Sequence, residues 1–249
     1  MMAMSSLSLL LIAIFLPLFP LSMLFNTLYA RLKQPFLRMA LLLGWPLTGI
    51  YLYGLLQPEL PDWMVGWALA SAIFYAFRLL AMREVGIWSG YFATSVWACL
   101  WLPLMYGDSG TTLYVLWFGV PLLFLVQLVA GLEKRYGAAY TGLYGGLAQT
   151  IPRFSGVFVV TVLALVATPV FPAFLGMLNI LVASQPLVAI ALVGLWAIWS
   201  WAGMRLIQGM IVGDPSTEVI EDLPVIYAWG FGALMLLLIV AGFTLTGNF

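Results

Sequence analysis

The stretch that decides the fold runs from Leu143 to Met177 and reads LYGGLAQTIPRFSGVFVVTVLALVATPVFPAFLGM. It begins near a glycine pair, continues through a long apolar run, and reaches Pro169 and Pro172 while the surrounding sequence is still apolar. A proline inside a helix removes a backbone hydrogen bond and clashes with the preceding turn. The stretch therefore predicts a Pro-broken, discontinuous pair of membrane helices over 154–184.

The composition of the whole chain is that of a membrane protein. Its 249 residues are 64% apolar and 7% charged, with a mean hydropathy of +1.10, whereas soluble domains carry roughly 25% charged residues. At about twenty apolar residues per spanning helix, we predict an all-α, polytopic transmembrane helix bundle of about nine spans. The predicted spans are 6–30, 36–57, 63–82, 86–106, 112–132, 154–168, 172–184, 187–211 and 223–246.

Several classes of function are excluded by what the sequence lacks. The net charge is zero, which disfavours a nucleic acid partner. Histidine, the commonest metal ligand, is absent, which disfavours His-ligated haem and zinc or di-iron sites, and we expect no cofactor and no metal. Cys99 is the single cysteine and lies in an apolar run. Paired catalytic carboxylates and Gly-rich phosphate loops are also missing, so we predict that the chain is not an enzyme. Its first residues lack a basic segment and a cleavage site, and are interpreted as a retained first span.

The distribution of basic residues predicts the orientation. Among the first five predicted spans, Lys and Arg are found around the ends of the first, third and fifth, which places those loops in the cytoplasm and the N-terminus outside. With two spans in 154–184, the acidic loop containing Asp214, Glu218, Glu221 and Asp222 falls outside and the C-terminus is cytoplasmic. If 154–184 crossed only once, that loop would lie inside. We expect an integral protein of the bacterial inner membrane.

The sequence from 113 to 246 resembles the antiporter-like membrane subunits of respiratory complex I and its relatives, which include cation/proton antiporters, hydrogenases and inorganic-carbon transport complexes. In that family a Gly-Gly-Leu loop with a following proline enters a span that ends near a second proline, and a Gly-Phe turn comes next. The matching residues here are Gly145, Gly146, Leu147, Pro152, Leu163, Ala164, Thr168, Pro169 and Phe174. The resemblance divides the chain into unassigned transmembrane helices at 1–110 and a region at 111–249 that is similar to the later spans of an antiporter-like subunit. A complete family member has about fourteen spans, so the resemblance implies a shortened version.

The departures from the family pattern concern its proton-transfer residues. The span before the Gly-Gly-Leu loop normally carries a buried His or Lys, but its only strongly polar residue here is Gln127. The acidic or Lys position after Gly-Phe aligns with Met177, and Thr168 and Ala173 replace the two turn glycines. Because intramembrane ionisable groups mark ion paths, their loss indicates a scaffold without its proton relay.

A few polar or bulky residues in the apolar runs are candidates for a role. Gln127 and Asn179, like Asn26, are amides that either bond neighbouring helices or line a water path. Arg205 either extends to the membrane surface or binds an anion or a partner's carboxylate. Trp196, Trp199 and Trp201 suggest a packing surface for another subunit. The predicted intramembrane polar or packing positions are Gln127, Pro169, Pro172, Asn179 and Arg205, with no catalytic residue among them.

Two functions compete. The first is an accessory or structural membrane subunit of an ion-coupled, proton-translocating complex, bound to a full-length antiporter-like subunit and to other membrane subunits. Its host is either a respiratory or hydrogenase-type pump or an inorganic-carbon uptake complex. The alternative is a stand-alone transporter or channel for a neutral solute, which discontinuous helices would allow. A lipid-modifying enzyme would have to use carboxylates in the loops.

Overall fold

The computed structural model describes residues 2–108, 110–143, 145–214 and 221–246, and side chains from 7 to 245 within those ranges. These residues form helices joined by short loops, with one isolated antiparallel bridge between Glu84 and Tyr140. In chain order the helices are α1 (Met2–Phe15), α2 (Ser22–Arg31), α3 (Pro35–Leu56), α4 (Trp63–Ala81), α5 (Val85–Cys99), α6 (Trp101–Met105), α7 (Thr111–Tyr136), α8 (Leu147–Thr150), α9 (Pro152–Leu165), α10 (Pro172–Ala183), α11 (Pro186–Ile211) and α12 (Val225–Thr246). The predicted all-α membrane bundle is confirmed.

Proline marks the helix starts in this sequence. Helices α3, α9, α10 and α11 each begin at a proline, where the missing N–H would have had no partner within the helix. Helix α7 ends at Gly137, whose φ of +80° is the left-handed conformation that glycine accepts without strain. Prolines and one glycine thus fix where four helices begin and one ends.

Six described helices are long and apolar enough to cross a membrane: α3, α4, the α5–α6 segment, α7, α11 and α12. Helix α5 lies at the centre of the bundle, with nearly all its residues buried. Fully buried rings lie on α5 and beside it: Trp88, Phe92 and Trp97 belong to α5, Trp101 to α6 and Trp199 to α11. The interior is therefore filled with large aromatic side chains.

Helices α9 and α10 form one crossing, broken in the middle. Their contacts with the antiparallel α12 advance steadily. Asp222, just before α12, bonds the start of α9, Gly156 and Phe231 line one cavity, and Gly242 packs on Pro172 at the start of α10. If α9 and α10 formed a hairpin, the contacts of α10 would run back toward the start of α12. They continue toward its end instead, so the prediction of two spans in 154–184 is wrong, and with it the count of nine.

The first predicted span, 6–30, is also broken. Helix α1 ends at Phe15 and α2 begins at Ser22, and the pair runs antiparallel to the α5–α6 segment. Trp101, at the start of α6, bonds Leu16 directly after α1, whereas Ser89, near the start of α5, bonds Tyr29 near the end of α2. Six long helices and two broken pairs give eight crossings of the described chain.

An even number of crossings corrects the predicted orientation of the ends. The start of α1 and the end of α12 lie on the same face of the bundle, whereas the prediction put the two ends on opposite sides; which side of the membrane that face occupies stays a prediction. Asp214 and Asp222 lie on the other face, beside Gly145 and Arg153, because 154–184 crosses once. Glu218, predicted in the same acidic loop, lies outside the described residues.

All nine Lys and Arg residues lie on one face, called here the basic face, where α2, α4, α7 and α11 end and α3, α5, α9 and α12 begin. Three hydrogen bonds join its loops: Thr141 N to Arg83 O at 2.8 Å, Val85 N to Ala139 O at 2.9 Å, and Gly142 N to Gly209 O at 2.7 Å. The opposite face carries Glu59, Asp62 and Asp108.

Candidate functional site

The break between α9 and α10 holds the two prolines that decide the fold. Ala167 has a φ of +55°, unusual for a residue with a side chain. The backbone N–H and the hydroxyl of Thr168 both donate to Leu163 O, at 3.2 and 3.1 Å. Pro169 and Pro172 have no N–H to donate to the carbonyl groups four residues earlier, and α9 has already ended at Leu165. Val166 O, directly after α9, accepts a 2.9 Å hydrogen bond from the indole of Trp196 on α11.

The break between α1 and α2 is built in the same way but has more indole donors. Trp45 on α3 donates to Ile14 O at 2.8 Å, Trp101 on α6 to Leu16 O at 3.0 Å, and Trp67 on α4 to Phe19 O at 2.6 Å. The amide of Phe19 donates to the hydroxyl of Ser71 at 3.0 Å. Four different elements of the fold thus satisfy the polar backbone of the two breaks.

A repeated sequence marks the two breaks, although the sequence analysis identified only the second. Pro17-Leu18-Phe19-Pro20 and Pro169-Val170-Phe171-Pro172 share a Pro-x-Phe-Pro pattern with the same spacing. In each case the pattern separates two short apolar helices. Comparing the chain with itself would have predicted the first break.

Neutral polar side chains line the contact of α2 with α4 and α5. Ser22 and the Tyr75 hydroxyl lie 2.7 Å apart, Thr94 donates to Asn26 Oδ1 at 2.9 Å, and Tyr29 and Ser89 are 2.7 Å apart. Asn26 therefore bonds between helices as predicted. The three pairs follow α2 from the break to the basic face, and each consists of hydroxyl or amide groups.

Charged groups lie away from both breaks. Each described Asp, Glu, Lys and Arg is either in a loop or within two turns of a helix end. Arg38, at the start of α3, is almost buried, donates to Leu32 O at 2.6 Å and stacks over the ring of Tyr29. In the loops, the carboxylate of Glu84 raises the pKa of Tyr140, to which it is hydrogen-bonded.

The predicted site residues do not come together. Pro169 and Pro172 form the second break, but Gln127 is exposed on the outer side of α7 and has no hydrogen bond among the described residues. Asn179 is an exposed residue of α10 beside the hydroxyl of Tyr114, which donates to Asp108 on the face opposite the basic face. Arg205 is exposed on α11 near the basic face.

The three tryptophans of α11 divide between inside and outside. Trp199 is fully buried and donates to the Ser95 hydroxyl at 2.8 Å, and Trp196 bonds to the second break. Trp201 is 59% exposed. Trp199 and Trp196 therefore both bond within this chain, and Trp201 is the most exposed of the three.

Comparison with known proteins gives a likeness of structure. No protein-family model matches the chain, and no curated protein does. The chain superposes on a chain of respiratory complex I from Thermus thermophilus with a TM-score of 0.79 and 22% identity, covering 93% of this chain and 52% of that one. For a chain of the Mrp complex from Dietzia sp. DQ12-45-1b, the TM-score is 0.83 and the identity 15%, over 98% and 56% of the two chains.

A third similar chain belongs to the membrane-bound sulfane sulfur reductase, described as an archaeal respiratory membrane complex. Its TM-score is 0.77 with 18% identity, covering 95% of this chain and 52% of that one. The chain thus spans about half the length of the solved chains it matches. The resemblance to complex I and related membrane subunits is confirmed at the level of the fold, and it includes most of residues 1–110, which the sequence leaves unassigned.

Proposed function

We propose that the protein is an accessory or structural membrane subunit of an ion-translocating complex, similar in fold to an antiporter-like subunit but without proton-relay charges. The observation that carries this proposal is that tryptophan side chains hydrogen-bond to the backbone at both helix breaks. Four indole N–H groups donate to carbonyl oxygens there, those of Ile14, Leu16, Phe19 and Val166. In transporters, the ends of broken helices bind ions or substrate, whereas these carbonyl groups bind neutral donors of the same chain.

Proton transfer through the bundle would need a group that changes its protonation state near the breaks. Lys, Asp and Glu serve this purpose within membranes and are conspicuous there because their burial is costly. Met177, at the position of the family's charged residue, is buried and cannot titrate. The hydroxyl and amide pairs beside α2 can hydrogen-bond water, but an ordinary tyrosine ionises only near pH 10.

The partner in this proposal is a full-length antiporter-like subunit within a larger membrane assembly. Two observations support it. The similar solved chains belong to respiratory complex I, the Mrp complex and the sulfane sulfur reductase, and each is about twice as long as this chain. A respiratory or hydrogenase-type pump and an inorganic-carbon uptake complex are both suitable hosts. The host membrane is the bacterial inner membrane, with the basic face in the cytoplasm because Lys and Arg are enriched there.

Passage of a neutral solute through this chain alone is disfavoured by the aromatic interior. Trp88 and Trp97 on α5, Trp101 on α6 and Trp199 on α11 are fully buried. A solute path would require several of these rings to move, although cores are packed about as densely as organic crystals. The alternative function therefore has less support than the accessory role.

The test is purification of the tagged chain from its own host in mild detergent, followed by mass-spectrometric identification of the proteins recovered with it. We expect an antiporter-like subunit in stoichiometric amount, and no proton flux when the purified chain alone is placed in liposomes. The variants Trp196→Phe and Trp67→Phe should leave the flux of the isolated chain at background. A partner-free, monodisperse chain that carries a proton current would overturn the proposal.

A further inference from the structure

A cavity of about 520 Å³ opens on the basic face, between the end of α4, the 139–142 loop and α11. Its volume lies within the range of small-molecule sites, about 300–1,000 Å³. The side chains of Arg83 and Arg205 line it together with Trp88 and Thr141. Arg83 comes from the loop after α4, and Arg205 from α11, so two separate elements bring positive charge to one space.

The side chains of these two arginines are unlike those of Arg38, Arg78 and Arg153, which donate hydrogen bonds within the chain. Arg38 donates to Leu32 O, Arg78 to the Tyr91 hydroxyl and Arg153 to Leu223 O. Neither guanidinium of Arg83 or Arg205 has a hydrogen bond or an ion pair among the described residues, and both side chains are exposed. No acidic residue is among the lining residues that the structure describes. The cavity therefore holds two uncompensated positive charges.

The chemistry of the lining selects a phosphate group. Guanidinium groups bind phosphate oxygens with paired, charge-assisted hydrogen bonds. The last turn of α4, at Leu80 and Ala81, also lines the cavity, and carbonyl groups in the last turn of a helix have no intrahelical partner. These carbonyl groups can accept hydrogen bonds from hydroxyl groups attached to the phosphate, as in a glycerol headgroup.

The position of the cavity favours a lipid as the source of that phosphate. Arg205 lies six residues before the last residue of α11, and Arg83 lies two residues after the last residue of α4, so both arginines are at the basic-face end of a membrane helix. Basic pockets between membrane helices at the cytoplasmic side are known to bind anionic headgroups.

We propose that this cavity binds the headgroup of an anionic phospholipid, with Arg83 and Arg205 on its phosphate and the end of α4 on its hydroxyl groups. The bound lipid fixes α11 against α4 and the 139–142 loop on the basic face. This site is separate from both helix breaks and does not depend on the accessory role proposed above.

The test is native mass spectrometry of the full chain in mild detergent with defined amounts of phosphatidylglycerol or phosphatidylcholine, and with inorganic phosphate as a third arm. The wild-type chain should retain phosphatidylglycerol in preference to phosphatidylcholine. Each arginine at an anionic headgroup contributes roughly fivefold to binding. The double variant Arg83→Gln/Arg205→Gln should therefore bind phosphatidylglycerol roughly 25-fold more weakly.

The matched control is Lys33→Gln/Lys134→Gln, which removes two exposed positive charges from the same face without touching the cavity. It should bind phosphatidylglycerol as the wild type does. Equal loss in both double variants, or none in the arginine variant, would reject the site. If the arginine variant does not fold, the lipid preference of the wild type decides: equal retention of both lipids, or competition by inorganic phosphate alone, overturns the lipid assignment.

Discussion

The indole nitrogen of Trp196 lies 2.9 Å from the carbonyl oxygen of Val166, directly after the last residue of α9. This bond joins the middle of α11 to the point where the neighbouring crossing is interrupted. In an apolar environment an unsatisfied carbonyl is costly, so the indole stabilises a backbone shape that the membrane would otherwise disfavour. The same device appears three times at the other break, which makes tryptophan the common structural element of both.

Replacing Trp196 with phenylalanine should destabilise the protein through this single bond. The ring contact with Phe174, at 5.4 Å between centroids, can be kept, while Val166 O is left without a donor. A buried, unsatisfied polar group costs about 1–3 kcal/mol, and about 2–4 °C of Tm accompanies each kcal/mol at this chain length. We expect a Tm in detergent lowered by roughly 2–12 °C, measured by intrinsic fluorescence.

The control for that measurement is Trp201→Phe on the same helix. Trp201 is 59% exposed and has no hydrogen bond among the described residues, so its Tm should stay within about 2 °C of the wild type, since surface substitutions change stability by about 0.5 kcal/mol or less. Equal losses for the two variants would show that ring volume, not the bond to Val166, is what matters.

The broken crossing at 154–184 shows which part of the fold could be predicted from the sequence and which could not. Pro169 and Pro172 locate the break correctly, because proline is incompatible with a helix interior whatever surrounds it. Whether the two halves then continue or turn back depends on contacts with α12, such as Gly242 against Pro172. Hydropathy contains no information on that direction, and so the count of spans was wrong.

The tryptophan N–H groups that donate hydrogen bonds at the breaks could not be predicted from the sequence for a related reason. Trp45, Trp67 and Trp101 are far from one another in the chain, and apolar periodicity assigns them to packing or to the membrane interface. Only the path of α1 and α2 between α3, α4 and α6 brings their N–H groups to the break. Gln127 is the opposite case. An amide in an apolar run predicts a hydrogen-bond partner inside the bundle, but the Gln127 side chain is exposed on the outer side of α7.

The close contact of α9 with α11 should require a residue without a side chain at Gly203. A Cβ atom at this position would lie 2.5 Å from Val166 Cγ1 and 3.2 Å from Val162 Cγ1, and valine side chains have little freedom to move aside. Overpacking costs about 1–3 kcal/mol. We expect Gly203→Leu to lower the Tm by roughly 2–12 °C and to lengthen the Trp196–Val166 bond, visible as a shift in tryptophan fluorescence.

Gly194 on the same helix provides the comparison, because a Cβ atom there would meet nothing within 4 Å. Gly194→Leu should leave the Tm unchanged or raise it slightly, since leucine has the higher helix propensity. A similar loss from both substitutions would mean that α11 tolerates no added side chain for reasons unrelated to α9.

The Asp222 carboxylate should stabilise the start of α9. It accepts hydrogen bonds from the backbone N–H groups of Arg153 and Phe154, at 2.9 and 3.1 Å, and a negative charge near a helix N-terminus is favourable. Losing such a cap costs about 1 kcal/mol. We expect Asp222→Ala to speed amide hydrogen exchange at 153–155 by roughly fivefold, the equivalent of that free energy.

The neighbouring Glu221 is exposed and accepts no hydrogen bond among the described residues, so Glu221→Ala removes the same charge without removing the cap. Its exchange rates at 153–155 should match those of the wild type. If both variants accelerate exchange equally, the effect is one of general charge and the bonds from Arg153 and Phe154 contribute little.

The eight-crossing topology predicts which loops can be labelled from the same side of the membrane. Starting from a Cys99→Ser background, single cysteines would replace Lys33 and Asp214 on the basic face, and Asp62 and Gln185 on the opposite face. Because 154–184 crosses once, a membrane-impermeant maleimide should reach positions 33 and 214 from one side of the membrane and positions 62 and 185 from the other.

The two cysteines on the basic face should react only after the cells are permeabilised, since Lys and Arg are enriched in cytoplasmic loops. Nine crossings would instead separate 214 from 33, and labelling of those two positions from opposite sides would show that α9 and α10 turn back on each other.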